Sequence, residues 1–386
     1  MRVIVVGAGI IGLSTAWYLR RLGAEVTIID PAPARGASHA AAGMLAPAAE
    51  VVWGQTPLYP LMQASAEMYP GFAAEVASAA GADLGFTDAG TLVCAGDRAD
   101  LQALRELREA QSQSGFATEL ITGSAARRIE PSLAPSVAGA VHIPGDRSID
   151  PRRVSAALRS ALTADEVSLV RQRVTQLLKD VDATVGVRLA DGRRVEADQV
   201  IICAGDAVTE IVGAPALPIR KVWGDVLRLR APAEVTPLLT RTIRGLVNGR
   251  PVYLVPRPDG EIVLGASSRE DGLSGTPAGA IHRLLNDGQR LVPGILDAEI
   301  TDITTRARPG SPDDLPMIGR IDSGCVVSTG YFRHGILLCP LGGRIGAELA
   351  LGASSDWPPD GALESVSPFR FTTEDTTTNL AARSIS

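Results

Sequence analysis

The chain has 386 residues, too many for one typical hydrophobic core and enough for two. Hydrophobic residues make up 45% and charged residues 21%, which excludes a disordered chain. The formal charge of −6 argues against nucleic acid as a partner, because a phosphate backbone needs a basic face.

Met1 and Arg2 lead into an apolar run that breaks at Gly7, so no export signal is expected. No run of about 18 apolar residues offers a membrane span. Cys94, Cys203, Cys325 and Cys339 form no CxxC pair and read as reduced, mostly buried thiols of a cytoplasmic protein. His39, His142, His282 and His334 are equally dispersed, so no metal site is expected.

In chain order, residues 3–6 form a β-branched run suited to a buried parallel strand. Ile10, Leu13 and Trp17 then recur at helical spacing, and residues 26–29 are a second apolar run ending at Asp30. This is a βαβ unit. Residues 31–50 are rich in alanine, glycine and proline, unlike the helix and strand that would continue a nicotinamide domain. Residues 96–112 are polar and helical in pattern. Between residues 218 and 270 the period changes to two, with turns at 258–260 and 270–272, which predicts antiparallel strands. Residues 200–203 are a further buried-strand run. Residues 325–328 read as a strand turning at Thr329-Gly330 and leading to a helix around 342–351. The tail after Phe371 is polar.

Gly7-Ala8-Gly9-Ile10-Ile11-Gly12 fits G-x-G-x-x-G between a strand and a helix. Gly7 permits the tight turn, Gly9 lets backbone approach a pyrophosphate, and Gly12 lets helix pack on strand. The helix N-terminus offers N–H groups to the phosphates, and Asp30 can accept from both ribose hydroxyls. The unit does not choose between NAD and FAD, which share the ADP half.

Other segments make that choice. Residues 36–45 (GASHAAAGML) resemble the flavin-approach segment of the D-amino-acid oxidase superfamily, and more narrowly of its glycine-oxidase branch. Residues 201–206 (IICAGD) resemble the superfamily's second FAD signature. Residues 251–257 and 265–267 resemble its substrate-domain strands, and residues 306–319 and 330–338 its C-terminal blocks. The resemblance runs in one order from residue 1 to about residue 360.

It implies an α/β (α+β) fold: a Rossmann-type FAD-binding domain with an inserted substrate domain built on a mixed, largely antiparallel sheet. The expected FAD domain takes residues 1–84, 147–216 and 305–365. The substrate domain takes 85–146 and 217–304, and 366–386 form a flexible tail. The implied cofactor is non-covalent FAD, since residues 306–320 contain no cysteine to attach it. Beyond the glycine motif and Asp30, the resemblance places FAD against Ser38, Ala41, Ala42, Gly43, Met44 and Val174. It adds Ala204, Gly205, Arg308, Arg333, His334, Gly335, Ile336 and Leu337.

The implied partners are a small amino acid and dioxygen. Arg308 stands where the family holds the substrate carboxylate, a task suited to a planar guanidinium. Tyr253 stands at the active-site tyrosine. Arg333 either lies close to flavin and substrate or stabilises an anion near a helix start. Asp225, where relatives more often carry glutamine or glutamate, and Ser268, where they carry a larger side chain, put the pocket size in doubt. The implied chemistry is hydride transfer from the substrate's α C–H to flavin. Imine hydrolysis follows, and dioxygen reoxidises the flavin to give hydrogen peroxide. A flavin dehydrogenase with another acceptor and a non-catalytic FAD-binding protein remain alternatives, and homo-oligomerisation stays open.

Overall fold

The computed structural model describes residues 1–50, 57–353 and 362–371. β1 (Arg2–Val6), α1 (Ile10–Arg21) and β2 (Glu25–Ile29) form the expected βαβ unit, with β1 and β2 parallel. A long helix, α2 (Leu58–Ala80), follows; the sequence reading assigned it no element. Yet Leu58, Leu61, Met62, Ser65, Tyr69, Phe72 and Val76 are all buried, at helical spacing.

Next come β3 (Thr91–Ala95), α3 (Arg98–Gln113), β4 (Glu119–Thr122), β5 (Gly139–Ile143), α4 (Pro151–Ala164) and β6 (Ser168–Val170). A three-stranded meander over 174–196 precedes β7 (Gln199–Ile202). Then follow β8 (Arg220–Arg230), β9 (Thr242–Val247), β10 (Arg250–Pro256), β11 (Glu261–Gly265), α5 (Ala278–Leu291) and β12 (Glu299–Gly310). The described chain closes with β13 (Met317–Asp322), β14 (Cys325–Thr329) and α6 (Gly335–Leu351), then a one-turn helix at Ala362–Ser365.

Six strands form one sheet in the order β13-β14-β7-β1-β2-β6. β7, β1, β2, β6 and β14 run parallel, and β13 is antiparallel to β14. Both faces are covered, which is why β1 reads as an unbroken apolar run. Val3 and Val5 enter the core shared with α1, α2, α4 and α6, whereas Ile4 and Val6 enter the core under the meander. Helix α6 crosses α1 closely at Gly343, where a Cβ would come within 2.8 Å of the Ser14 backbone.

The second sheet has eight strands in the order β12-β8-β11-β10-β9-β3-β5-β4. Its pairs are antiparallel except β9 with β3, giving the mixed, largely antiparallel sheet that the resemblance implied.

Three expectations need correction. Helix α6 begins at Gly335, not near 342, and runs through Pro340. Burial of Ile336, Leu337, Leu338 and Leu341 outweighs the hydrogen bond the proline removes. The division between residues 304 and 305 falls inside β12, which pairs with β8 as far as Gly310. Residues 366–371 do not open a loose tail. Val366 is fully buried, its carbonyl accepts from Ile318 N at 2.8 Å, and Arg370 pairs with Asp313 at 2.8 Å. Residues 372–386 lie outside the described residues.

Candidate active site

A cavity of about 530 Å³ runs from the β1–α1 turn to one face of the eight-stranded sheet. Its first half is the glycine motif. Gly7 has φ of +104°, and a Cβ there would come within 2.5 Å of Cys203 O at the end of β7. A Cβ on Gly12 would come within 1.9 Å of Gly7 O, so only glycine lets α1 start this close to the strand. Asp30 is held rigidly: its Oδ2 accepts from Ala8 N at 2.6 Å and its Oδ1 from Ala32 N at 2.7 Å. Ser38 Oγ accepts from Ile10 N at 3.0 Å, tying the alanine-rich segment to the start of α1. Gly43 has φ of +79°, and a Cβ there would come within 1.9 Å of Ile149 O.

Most of the expected cofactor residues line this one cavity. They are Gly7, Gly9, Ile10, Ile11, Asp30, Ser38, Ala41, Ala42, Gly43, Met44, Ala204 and Gly205, with Arg308 and residues 333–337. Three lie off its wall. Ala8 faces Asp30, Gly12 is the helix–strand contact, and Val174 opens the meander and packs beside Leu177 and Val187. The cradle fits a dinucleotide. Glycines strip side chains from the turn, a fixed carboxylate ends β2, and His334 at the cavity wall keeps two buried ring nitrogens without a hydrogen-bond partner.

The second half is built by strand register. Residues directly opposite in an antiparallel pair share a face, as do residues two apart on one strand. Arg244 of β9 lies opposite Tyr253 of β10, which lies opposite Gly265 of β11, which lies opposite Val226 of β8. Gly224 is two residues from Val226, and Val222, two further on, lies opposite Arg308 of β12. Five strands thus deliver Arg244, Tyr253 and Arg308 to one face. Glycines at 265 and 224 leave room: a Cβ at either would come within 2.4 Å of the Tyr253 hydroxyl or the Arg308 guanidinium, respectively.

Arg308 donates from Nη1 to Ser267 O at 3.1 Å and makes no ion pair among the described residues. Burial draws its guanidinium below the ordinary arginine value, opposed by Tyr253 and reinforced by Arg333. Burial raises the Tyr253 phenol, and Arg308 pulls it back. Arg308 is therefore a half-buried cation at a cavity wall without an ion-pair partner among the described residues, an arrangement suited to an anionic ligand.

An acid–base cluster adjoins this face. Glu50 is 8% exposed and bonds to Arg244, while its Oε2 lies 3.4 Å from Arg333 Nε. Burial pushes the Glu50 carboxyl up, but Arg244, then Arg333 and His334, outweigh it and hold it at about 2. The His334 imidazole is lowered to about 4, chiefly by burial, and is neutral at pH 7. Asp146, below the cluster, is raised to about 7 by burial. Arg333 is thus tied to Glu50, and its guanidinium also lies over the Phe332 ring at 5.8 Å.

The sequence reading did not single out Glu50, Arg244 or Asp146. A lone acid inside the apolar segment 45–50 was the available signal, because carboxylates are rarely buried unless paired. Ser268 lines the cavity as expected, whereas Asp225 lies behind its wall.

The chain matches the FAD dependent oxidoreductase family model over residues 2–349. It is 31% identical over 360 residues to the bifunctional protein ThiO/ThiG of Nostoc sp., covering 92% of this chain and 53% of that protein. The chain thus spans about half the length of the first curated relatives it matches. It is 30% identical over 355 residues to glycine oxidase of Geobacillus kaustophilus, covering 90% and 92% of the two chains. The crystal structure of glycine oxidase from that organism superposes with a TM-score of 0.87 at 29% identity, over 96% of this chain and 99% of that one. Iminodiacetate oxidase from Chelativorans sp. superposes with a TM-score of 0.84 at 27% identity, over 95% and 99%. The glycine cradle, the fixed Asp30 and these matches agree, and the chain belongs to the FAD dependent oxidoreductase family.

Proposed function

We propose that the protein oxidises glycine, with sarcosine and small D-amino acids as secondary substrates. The observation that carries this reading is the unpaired Arg308 guanidinium beside Tyr253 on the cavity wall. Glycine offers only a carboxylate and an amine to hold. Arg308 would take the carboxylate in a two-pronged pair, and the Tyr253 hydroxyl lies on the same face to donate to it. The glycine motif, Asp30 and Ser38 would hold the ADP half of FAD. The segment 41–44 and the start of α6, with His334, would hold the flavin end.

FAD, when bound, supplies the hydride acceptor. The residues here position the α C–H, exclude water and anchor the carboxylate. No side chain need act as a general base if the amine reaches the site neutral. Arg308 and Arg333 at the cavity wall support such a substrate, since they disfavour a further cation. The overall reaction is glycine + O₂ + H₂O → glyoxylate + NH₃ + H₂O₂. Small D-amino acids follow from geometry: one glycine α-hydrogen faces the acceptor, and a small D side chain takes the place of the other. A methylene is worth only about 1–3 kcal/mol of discrimination, so selectivity is incomplete. The relatives named ThiO support a place for the product in thiamine biosynthesis.

Anaerobic titration of the yellow protein with glycine, sarcosine, D-alanine, D-proline and L-amino acids tests the reading, with peroxide and glyoxylate assayed in air. Bleaching by glycine and peroxide release are expected. Preference for any L-amino acid or for large D-amino acids would remove it, and bleaching without peroxide would indicate a dehydrogenase. Bleaching by no amino acid would indicate a non-catalytic flavoprotein.

A further inference from the structure

Beneath the anchor lies a buried network of which Ser267 lines the cavity while Asp225, Arg269 and Thr305 stand behind its wall. Asp225 is fully buried on β8 and points away from the face that carries Gly224. Its Oδ2 accepts from Ser267 Oγ at 2.5 Å and from Arg269 Nε at 2.9 Å. Its Oδ1 accepts from Thr305 Oγ1 at 2.6 Å and from Arg269 Nη2 at 3.1 Å. Its backbone N–H donates to Ser267 Oγ at 2.8 Å, and its carbonyl accepts from Ser267 N at 3.3 Å. Three hydrogen bonds therefore join Asp225 to Ser267 alone.

Ser267 is the residue whose carbonyl receives Arg308 Nη1. Resting on the carboxylate-anchor reading of Arg308, we propose that Asp225 is a positioning residue for substrate binding. It locks Ser267 so that the Ser267 carbonyl holds one guanidinium nitrogen and turns the others toward the cavity. The other neighbours of Arg308 leave this task open. Gly224 bounds it without a side chain, and the hydrogen bond of its guanidinium among the described residues is the one to Ser267. A charge this deep is retained at a desolvation cost that a purely structural strand contact would not require. Arg269 balances the charge and is itself tied to Asp271 at 2.7 Å, so the assembly is rigid from the surface loop to the cavity wall. Hydrogen bonds from Arg269, Ser267 and Thr305 outweigh the upward push of burial and keep Asp225 ionised.

The test is acetate binding to the FAD-loaded protein, read by perturbation of the flavin spectrum, alongside KM and kcat for glycine. Asp225→Ala should weaken acetate and raise the glycine KM by about tenfold, with FAD content unchanged. Asp225→Asn, which keeps the volume and part of the bonding, should show about a threefold effect and serves if the alanine variant loses its fold. In the Arg308→Lys background, where the guanidinium is gone but binding stays measurable at high acetate, Asp225→Ala should cost under about threefold. An equal factor in both backgrounds, or no weakening in the parent, overturns the proposal. Acetate binding unaffected by Arg308→Lys and by Arg308→Ala would instead overturn the anchor reading itself, and the role of Asp225 with it.

Discussion

The Arg308 guanidinium lies directly on the bare Cα of Gly224, where a Cβ would stand 2.4 Å from Nη1. Gly224→Ala cannot be accommodated without moving the arginine or the strand. Overpacking of this kind costs about 1–3 kcal/mol, and here it should appear as lost substrate binding. The glycine KM should rise at least about tenfold while flavin content stays intact. Steady-state kinetics with a flavin count checks this, and an unchanged KM would count against the arginine as anchor.

Arg308→Ala should leave FAD bound and weaken amino-acid substrates by about 2–5 kcal/mol, the cost of a desolvated carboxylate without its partner. Arg308→Lys should recover only part, because an ammonium cannot form the planar fork. The comparison is kcat/KM for glycine across the three proteins. Parental kinetics in Arg308→Ala would contradict the assignment.

Asp146 makes a prediction about pH. Its folded value is raised to about 7 from 3.8, chiefly by burial. Between these values the unfolded chain has released the proton and the folded one has kept it, so folding loses stability as pH rises from about 4 to about 7. Asp146→Asn removes that loss. The melting temperature of the variant relative to the parent should climb across this window and level off above it. A constant difference from pH 4 to 7 would show that Asp146 does not titrate there.

Arg257 links the substrate sheet to the flavin-approach segment. It is 4% exposed and donates to Ala42 O at 2.5 Å and Ile149 O at 2.9 Å. Arg257→Met leaves two buried carbonyls without donors, a loss of about 1–3 kcal/mol for each. The variant should melt lower and hold FAD less tightly, measured by flavin released on dilution. Full release of FAD from the parent by mild denaturation is expected as well, because residues 306–320 contain no cysteine to attach it. Retention of flavin in the precipitate would disprove that.

The local elements that carry the cofactor site were legible because their physics is local. A tight turn, a close helix start and a carboxylate at a strand end are all specified within residues 3–30, and the structure keeps them together. Helix α2 received no element although its buried positions keep helical spacing, and it continues through Pro70 because tertiary burial outweighs the local breaker. Helix α6 runs through Pro340 because burial on both sides of it outweighs the local breaker.

What the sequence by itself determined is the class of ligand and the chemistry on offer: a glycine turn with Asp30 for an adenine dinucleotide, and Arg308 and Tyr253 as candidates for a small amino acid. Only the tertiary structure decided which side chains meet. Tyr253, Arg308 and Arg244 share a face because five strands adopt one register, and a one-residue slip would turn each away. Glu50 pairs with arginines 194 and 283 residues away in the chain (244 − 50 and 333 − 50), and Asp225 meets Ser267 and Thr305 across neighbouring strands. Such pairings depend on long-range register and burial, which no local pattern of residue types encodes.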